Sequence, residues 1–157
     1  MGATSAGILL HRRVGEDIEV LVAHMGGPYW AGKDHAAWSI PKGEYDPEHE
    51  SPLDAARREF REELGIQPPA GEYTDVGTFV YSSGKRVTVY AANGDAFAAS
   101  GFTFGEFELE WPPRSGRRQS FPEVDRAEWM PLDAARHRLV KGQRPALDAL
   151  AMLLAAS

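Results

Sequence analysis

The segment Gly43-Glu-Tyr-Asp-Pro-Glu-His-Glu50-Ser-Pro-Leu-Asp-Ala-Ala-Arg-Arg58-Glu59-Phe60-Arg61-Glu62-Glu63-Leu64-Gly65-Ile66 decides how this chain is read. Its second half has the layout of a helix with marked ends. Ser51 is a good N-cap, Pro52 suits the first helical position, and Asp54 stands where a capping box places its acid. Gly65 is positioned to close the helix in a left-handed turn. Between those limits Leu53, Ala56, Phe60 and Leu64 recur at helical spacing and predict the buried stripe. At roughly 100° per residue, Glu59 and Glu63 lie about 40° apart at the edge of that stripe, with Glu62 about 60° from Glu59 on the other side.

Two readings fit these acids. In one the helix is a salt-bridged surface helix, with Asp54 paired to Arg58 four residues on and Arg57 and Arg61 solvated. That reading covers Glu62, but it gives no reason for two acids to border an apolar stripe. In the other the three carboxylates converge on a divalent cation, which removes the repulsion they would otherwise suffer near a core. Oxygen donors alone point to Mg2+, or to Mn2+, rather than to zinc.

The segment resembles the signature of the Nudix hydrolases, G-x5-E-x7-R-E-U-x-E-E-x-G-U, where U is a bulky apolar residue. Arg58, Glu59, Phe60, Glu62, Glu63, Gly65 and Ile66 fall in place, and Glu50 precedes Arg58 at the required spacing. Gly43 and Glu50 are separated by six residues instead of five, so the loop carries one extra residue within Asp46–His49. The resemblance implies metal binding by Glu59, Glu63 and the Gly43 carbonyl, and a proton acceptor in Glu62 or Glu123. It also implies supporting roles for Glu50 and Arg58. Glu123, in Phe-Pro-Glu-Val-Asp125, resembles the acid that many members bring from a later loop toward the metal, as general base or extra ligand; the alternative is an exposed loop acid. The run Trp38-Ser-Ile-Pro41-Lys42-Gly43 is similar to a Trp-x-x-Pro-Lys-Gly segment of members acting on diadenosine polyphosphates and of some mycobacterial MutT-like enzymes.

The rest of the chain bounds what surrounds this site. Its 157 residues suit one compact domain spanning 1–157. The net charge of −6 gives no global field to attract duplex nucleic acid. The absence of cysteine excludes disulfides, zinc–thiolate sites and a thiol nucleophile. No apolar run is long enough for a bilayer span, so a soluble, cytoplasmic protein is expected. Oligomeric state is left open. The five histidines show no zinc spacing, and neither a Walker sequence nor a nucleophile elbow is present.

Alternation predicts a hairpin from Ser5–Arg13 and Ile18–His24, a Gly-rich loop over 25–37, and a short strand at Trp38–Ile40. It also predicts strands at Asp75–Tyr81 and Arg86–Ala92, an extended run at Phe102–Trp111, a loop at Pro112–Phe121 and a strand at Ala127–Met130. Helices are expected at Leu132–Val140 and Ala146–Ala156. Strands on both sides of a central helix predict an α/β fold, a layered α/β/α sandwich around a mixed β-sheet, which is also what the resemblance implies. Pro-Leu-Asp-Ala-Ala-Arg occurs at Pro52 and again at Pro131, marking two helix starts.

Lys42, beside Gly43, is either a phosphate clamp or a solvated loop lysine. Arg114, Arg117 and Arg118 are either a solvated loop cluster or contacts to a long polyphosphate, with Arg114 and Arg118 the candidates for substrate binding. Tyr29, Trp30, Tyr81 and Tyr90 could stack on a base, although packing is the commoner use of such rings. The expectation is a Mg2+-dependent pyrophosphohydrolase cutting a nucleoside diphosphate linked to another group, with dinucleoside polyphosphates favoured. Oxidised nucleoside triphosphates, ADP-ribose and inositol pyrophosphates are the alternatives within the enzyme class. A non-catalytic nucleotide sensor is the alternative outside it, and such a module would normally have lost one of Glu59, Glu62 and Glu63.

Overall fold

The computed structural model describes residues 3–156. β1 (Thr4–Val14) and β2 (Asp17–Met25) form the expected antiparallel hairpin, turning at Gly15 with φ of 65°. β3 (Trp38–Ser39) and β4 (Lys42–Glu44) are short, and α1 (Pro52–Leu64) follows. After β5 (Thr74–Val80) and β6 (Arg86–Asn93) come β7 (Glu106–Glu110), β8 (Arg118–Pro122) and β9 (Val124–Pro131). The chain closes with α2 (Leu132–Arg138), a 3₁₀ turn at Lys141–Gln143, and α3 (Arg144–Ala155).

The main sheet runs β3-β2-β1-β6-β5, with β4 added to β1 and β9 to β2. It is mixed, because β1 and β6 are parallel while its other pairs are antiparallel. Side chains alternate across each strand, and this sorts the core into two layers. Ala6, Ile8, Leu10, Leu21 and Ala23 face α1, where they meet Ala55, Ala56, Phe60 and Leu64. Leu9, Val20, Val22, Val87 and Val89 face the other way and meet Ala135, Leu139, Ala146, Leu147 and Leu150. The result is the α/β/α sandwich that the pattern predicts.

Two differences from the sequence reading concern one region. Within the run Phe102–Trp111 only Glu106–Glu110 is strand, and the expected loop at Pro112–Phe121 contains β8. β7 and β8 pair with each other as a separate two-stranded sheet. Phe107 and Leu109 alternate with glutamates, as a half-buried strand should. Arg118, Gln119 and Ser120 are all exposed, so β8 has no apolar alternation to reveal it.

α1 carries its predicted ends. The Ser51 hydroxyl accepts from the Asp54 N–H at 3.2 Å, and Gly65 adopts φ 74° with its N–H on the Arg61 carbonyl at 2.8 Å. The second Pro-Leu-Asp-Ala-Ala-Arg also opens a helix, with Pro131 at the cap position of α2. Gly65 has a further constraint. A Cβ there would stand 2.3 Å from the Thr103 carbonyl oxygen, because Thr103 donates its N–H to Leu64 and closes the helix end. Gly65→Ala should therefore combine left-handed strain with a backbone clash and destabilise the fold by about 2 kcal/mol or more. A urea unfolding midpoint indistinguishable from wild type would contradict this close approach.

Candidate active site

Arg58 organises the acidic face of α1. Its Nε and Nη2 donate to the two carboxylate oxygens of Glu50, each at 2.8 Å, in a bidentate pair. Its Nη1 donates to Glu59 at 2.8 Å and to Glu62 at 3.0 Å. The expected Asp54–Arg58 pair does not form, since the guanidinium donors go to Glu50, Glu59 and Glu62. Glu50 answers by ionising more readily than usual, chiefly through its hydrogen bond to Arg58.

The three acids of the helix differ in exposure. Glu62 is half exposed, Glu59 is largely covered, and Glu63 is buried with 9 % of its surface accessible. Burial raises the Glu59 pKa; Arg58 opposes this, while Glu62 and Glu123 add to it. The Glu63 carboxyl is pushed up to about 8, first by burial, then against the pull of Lys42 and with the help of Glu123 and Glu59. Burying carboxylates beside one another is costly unless a proton or a cation compensates. Glu123 is exposed, but its backbone is fixed: its N–H donates to Gly105 at 2.7 Å, and its carbonyl accepts from Gly26 at 2.9 Å. The Gly26 Cα faces Pro122 so closely that a Cβ would lie 2.0 Å from the Pro122 carbonyl oxygen.

Gly43, in β4 opposite Ala6, packs its Cα directly on Glu59. A Cβ there would be 2.0 Å from the nearer Glu59 carboxylate oxygen. The extra residue of the loop that follows is taken up away from Gly43, in an exposed turn closed by Asp46. The carbonyl of Asp46 accepts from His49 and Glu50, and its carboxylate accepts from Glu48 N–H and meets the His49 ring. Gly43 thus remains beside the helix while the insertion bulges outward.

Lys42 is half-buried next to Gly43. Burial lowers its pKa, the neighbouring Lys85 lowers it further, and Glu63 pulls it back. Lys85 is the residue that sequence reading missed. It lies in the turn between β5 and β6, held by the Tyr81 N–H donating to its carbonyl at 2.8 Å. Ser82-Ser-Gly-Lys85 carries only a turn signal, and nothing in it reports that the turn reaches Lys42. Arg114 and Arg118 are not beside the acids. They sit at the far end of the β7–β8 hairpin, where Arg118 faces Glu108 at 3.8 Å and Arg114 occupies the turn with φ 63°. The four residues of strand separating Arg118 from Pro122 span about 13 Å. Of the rings proposed for stacking, Tyr81 accepts at its hydroxyl from Nε2 of the buried Gln143, which also donates to Ser39 while its Oε1 accepts from the Ile40 N–H. Trp30 packs on the core of the α2–α3 face, Tyr90 packs on the core of the α1 face, and Tyr29 stays half exposed.

A family model of the NUDIX domain matches residues 1–150. The chain belongs to the Nudix family. A relative from Enterobacteria phage T4, an uncharacterized 17.7 kDa protein in the e-segB intergenic region, is 37% identical over 93 residues, which is 57% of this chain and 58% of that protein. This Nudix chain therefore matches less than two thirds of that relative's length. Among solved structures, a C. elegans Ap4A hydrolase in a binary complex superposes with a TM-score of 0.69 at 22% identity, covering 99% of both chains. The NUDIX domain of Shewanella oneidensis NrtR, complexed with ADP ribose, gives 0.62 at 14% identity, covering 98% of this chain and 89% of that one. A MutT protein from Methanosarcina mazei Go1 gives 0.61 at 18% identity, covering 97% and 94%. These likenesses establish a shared fold. No helix among the described residues is long and apolar enough to cross a membrane.

Among the described residues, no three acidic or histidine side chains are already gathered in a metal-binding cluster; Glu59 and Glu62 are turned onto Arg58 instead. The donor set nevertheless fits a hard divalent cation. It consists of carboxylates in excess of their protein partners, beside a glycine that leaves room for nothing but Glu59. A cavity of about 790 Å³ lies past the C-terminal end of α1, lined by Ile66, Phe97 and Ala98 among others, and shares no residue with these acids.

The Glu63 shift gives a signed expectation. Its folded value of about 8 lies above the ordinary 4.5, so the unfolded chain loses this proton first as pH rises. The contribution to stability is intact below about pH 4.5 and is lost as pH climbs through 8, amounting to a few kcal/mol. Lys42, whose pKa is lowered by folding, works in the opposite sense, gaining stability as pH rises toward 10.5. The metal-free protein should melt at least about 5 °C lower at pH 8 than at pH 5, and excess Mg2+ should restore much of this at pH 8. Glu63→Gln should flatten both responses, and a wild-type melting temperature unmoved by pH or Mg2+ would rule out a strained, cation-seeking Glu63.

Proposed function

We propose that this Nudix hydrolase is a Mg2+-dependent pyrophosphohydrolase, with Mn2+ as a substitute, acting on a nucleoside diphosphate linked to another group. The observation that carries this reading is the surplus of buried carboxylate: Glu59 and Glu63 are both raised in pKa, with Glu123 facing them and a lysine at their edge. Glu59, Glu63 and the Gly43 carbonyl would hold the cation, which neutralises charge on the phosphate oxygens when bound. Lys42 and Lys85 supply point charges to the same phosphates. Two ammonium groups side by side repel each other, and an anion lying between them removes that repulsion.

Phosphoric anhydride hydrolysis needs a water held in line with the bond to be cut. Glu62 or Glu123 accepts a proton from that water as its oxygen bonds to phosphorus, and the bridging oxygen leaves with the bonding pair. Glu62 is tied to Arg58, whereas Glu123 is exposed on a fixed backbone, so the two make different demands on the base. Arg58 and Glu50 act through position, keeping α1 registered against the loop after β4.

Dinucleoside polyphosphates are the favoured substrate class. The support is the Trp38–Gly43 segment, the Lys42–Lys85 pair, and three arginines on the β7–β8 hairpin that could meet the outer part of a long phosphate chain. The C. elegans protein of the same fold is an Ap4A hydrolase, which agrees with this reading. Oxidised nucleoside triphosphates, ADP-ribose and inositol pyrophosphates are separated from it by a Mg2+-dependent screen over these compounds. A nucleotide sensor would bind one of them without turnover; the presence of all of Glu59, Glu62 and Glu63 argues for catalysis.

Glu59→Gln and Glu63→Gln should each lower kcat by orders of magnitude, with little loss of stability at pH 7. Between Glu62→Gln and Glu123→Gln, the variant lacking the base should lose kcat at unchanged KM; near-normal turnover by Glu63→Gln at saturating Mg2+ would refute the metal assignment. Lys42→Ala and Lys85→Ala should chiefly raise KM, each by roughly ten- to a hundredfold, given about 1.5–3 kcal/mol for a sheltered charge-assisted contact. Unchanged KM in both would remove the phosphate clamp.

A further inference from the structure

His24 is a buried imidazole that the proposed mechanism does not use. Only 2 % of it is accessible, and it stands at the point where the pairing of β2 with β9 changes register. Three segments meet on its ring. Nε2 lies 2.6 Å from the Lys33 carbonyl oxygen, Nδ1 lies 2.9 Å from the Asp125 carboxylate, and the ring meets Trp38 in a T-shaped contact with centroids 5.1 Å apart. A carbonyl only accepts, so Nε2 donates to Lys33, and one proton then lies between Nδ1 and the Asp125 carboxylate. Removing either partner would leave a buried ring nitrogen unpaired, which is costly.

Asp125 is the extra residue of a β-bulge. His24 pairs with Arg126 and Met25 pairs with Val124, so no residue of β2 stands opposite Asp125. The bulge reverses the alternation of β9. Ala127 and Trp129 face α1, and so does Val124, which regular pleating would send to the other face. The place of Glu123 follows from this. Its N–H and carbonyl are bonded to Gly105 and Gly26, and a Cβ on Gly105 would stand 3.7 Å from its carboxylate and 3.3 Å from the Glu62 carbonyl oxygen. Its charge adds to the burial that raises the Glu59 and Glu63 carboxyls. Those two backbone bonds hold one side of the bulge. Within the bulge itself the hold is Asp125 on His24, with Arg126 Nε 3.9 Å from the same carboxylate oxygen. Moving the bulge by one residue would turn Val124 out of the core and carry Glu123 away from the acids.

We propose that the His24–Asp125 pair positions Glu123: by pinning the bulge it fixes where the Glu123 carboxylate meets the attacking water or the cation. This rests on the hydrolase reading above and selects Glu123, of the two candidate acids, as one that the reaction uses. The same ring touches Trp38, which opens the segment ending at Gly43. One imidazole thus joins the strand that carries Glu123 to the segment that carries Gly43.

The test is kinetic, at saturating Mg2+ with the best substrate of the screen. Asp125 is partly exposed, so its variants keep the fold, whereas His24→Ala empties buried volume. Asp125→Ala should lower kcat about ten- to a hundredfold with KM within about twofold, because a small misplacement of a reacting group has an effect of this size. Asp125→Asn should recover most of the rate, since its amide bonds Nδ1 whether or not that nitrogen carries a proton. His24→Ala, measured well below its melting temperature, should lose kcat to a similar extent. In a Glu123→Gln background, Asp125→Ala should lower kcat by less than about twofold more, as happens when two residues act through one group. A lowered melting temperature with kcat of the folded protein unchanged would make the pair a structural strut and overturn the proposal. The full Asp125→Ala loss in the Glu123→Gln background would overturn it as well. Wild-type kcat in Glu123→Gln removes Glu123 from the reaction and this role with it, while the hydrolase reading stands on Glu62. A wild type without turnover on any compound of the screen removes the hydrolase reading itself, and the positioning role falls with it.

Discussion

The guanidinium of Arg58 is the interaction on which the site depends. Four carboxylates of this segment lie within a few turns of one another, and three of them meet this one cation. Its planar donors can bind Glu50 with two parallel hydrogen bonds and still reach Glu59 and Glu62. A lysine could supply the charge but not the fork. The Arg58–Glu50 pair ties α1 to the end of the loop that follows β4, and β4 in turn brings Gly43 onto Glu59. Remove that tie and the acids have no fixed relation to the strand that faces them.

Glu63 is the exception to this neutralisation, and this gives the site its chemical character. It has no contact with Arg58 and shares its burial with Lys42, itself pressed against Lys85. The protein thus places negative charge on one side and positive charge on the other, each incompletely balanced. A phosphate anion accompanied by a divalent cation balances both at once, which neither component does alone. The preference is for the pair, metal and polyphosphate together.

Much of this was legible in the sequence because it is local. The limits of α1, its apolar stripe and the rank of its acids follow from spacing and capping chemistry within fifteen residues. The exposure of Glu62 and the burial of Glu63 follow from the same helical wheel. What escaped was long-range or polar. Lys85 reaches Lys42 only because β6 lies parallel to β1, and no feature of its turn encodes that neighbour. β8 was hidden because its outward residues are Arg118, Gln119 and Ser120, and its register comes from β7 rather than from its own pattern. The Asp54–Arg58 pair failed for a related reason: a four-residue rule weighs two side chains, while here Glu50, outside the helix, offered two oxygens to the same donor.

The parallel pairing of β1 with β6 also sets an order of events. β1 and β2 can close as a hairpin soon after synthesis, and α1 can form behind them, with its glutamates still in water and free to ionise. The strand on the other side of β1 arrives only with residues 86–93, and Glu123 and β9 later still. Contacts across such sequence separations form slowly. The crowded carboxylates are therefore assembled last, when most of the apolar surface is already buried and can hold them together. A chain released before that point would have a nearly complete hydrophobic layer against α1 but none of the electrostatic tension that makes the finished molecule receptive to a cation.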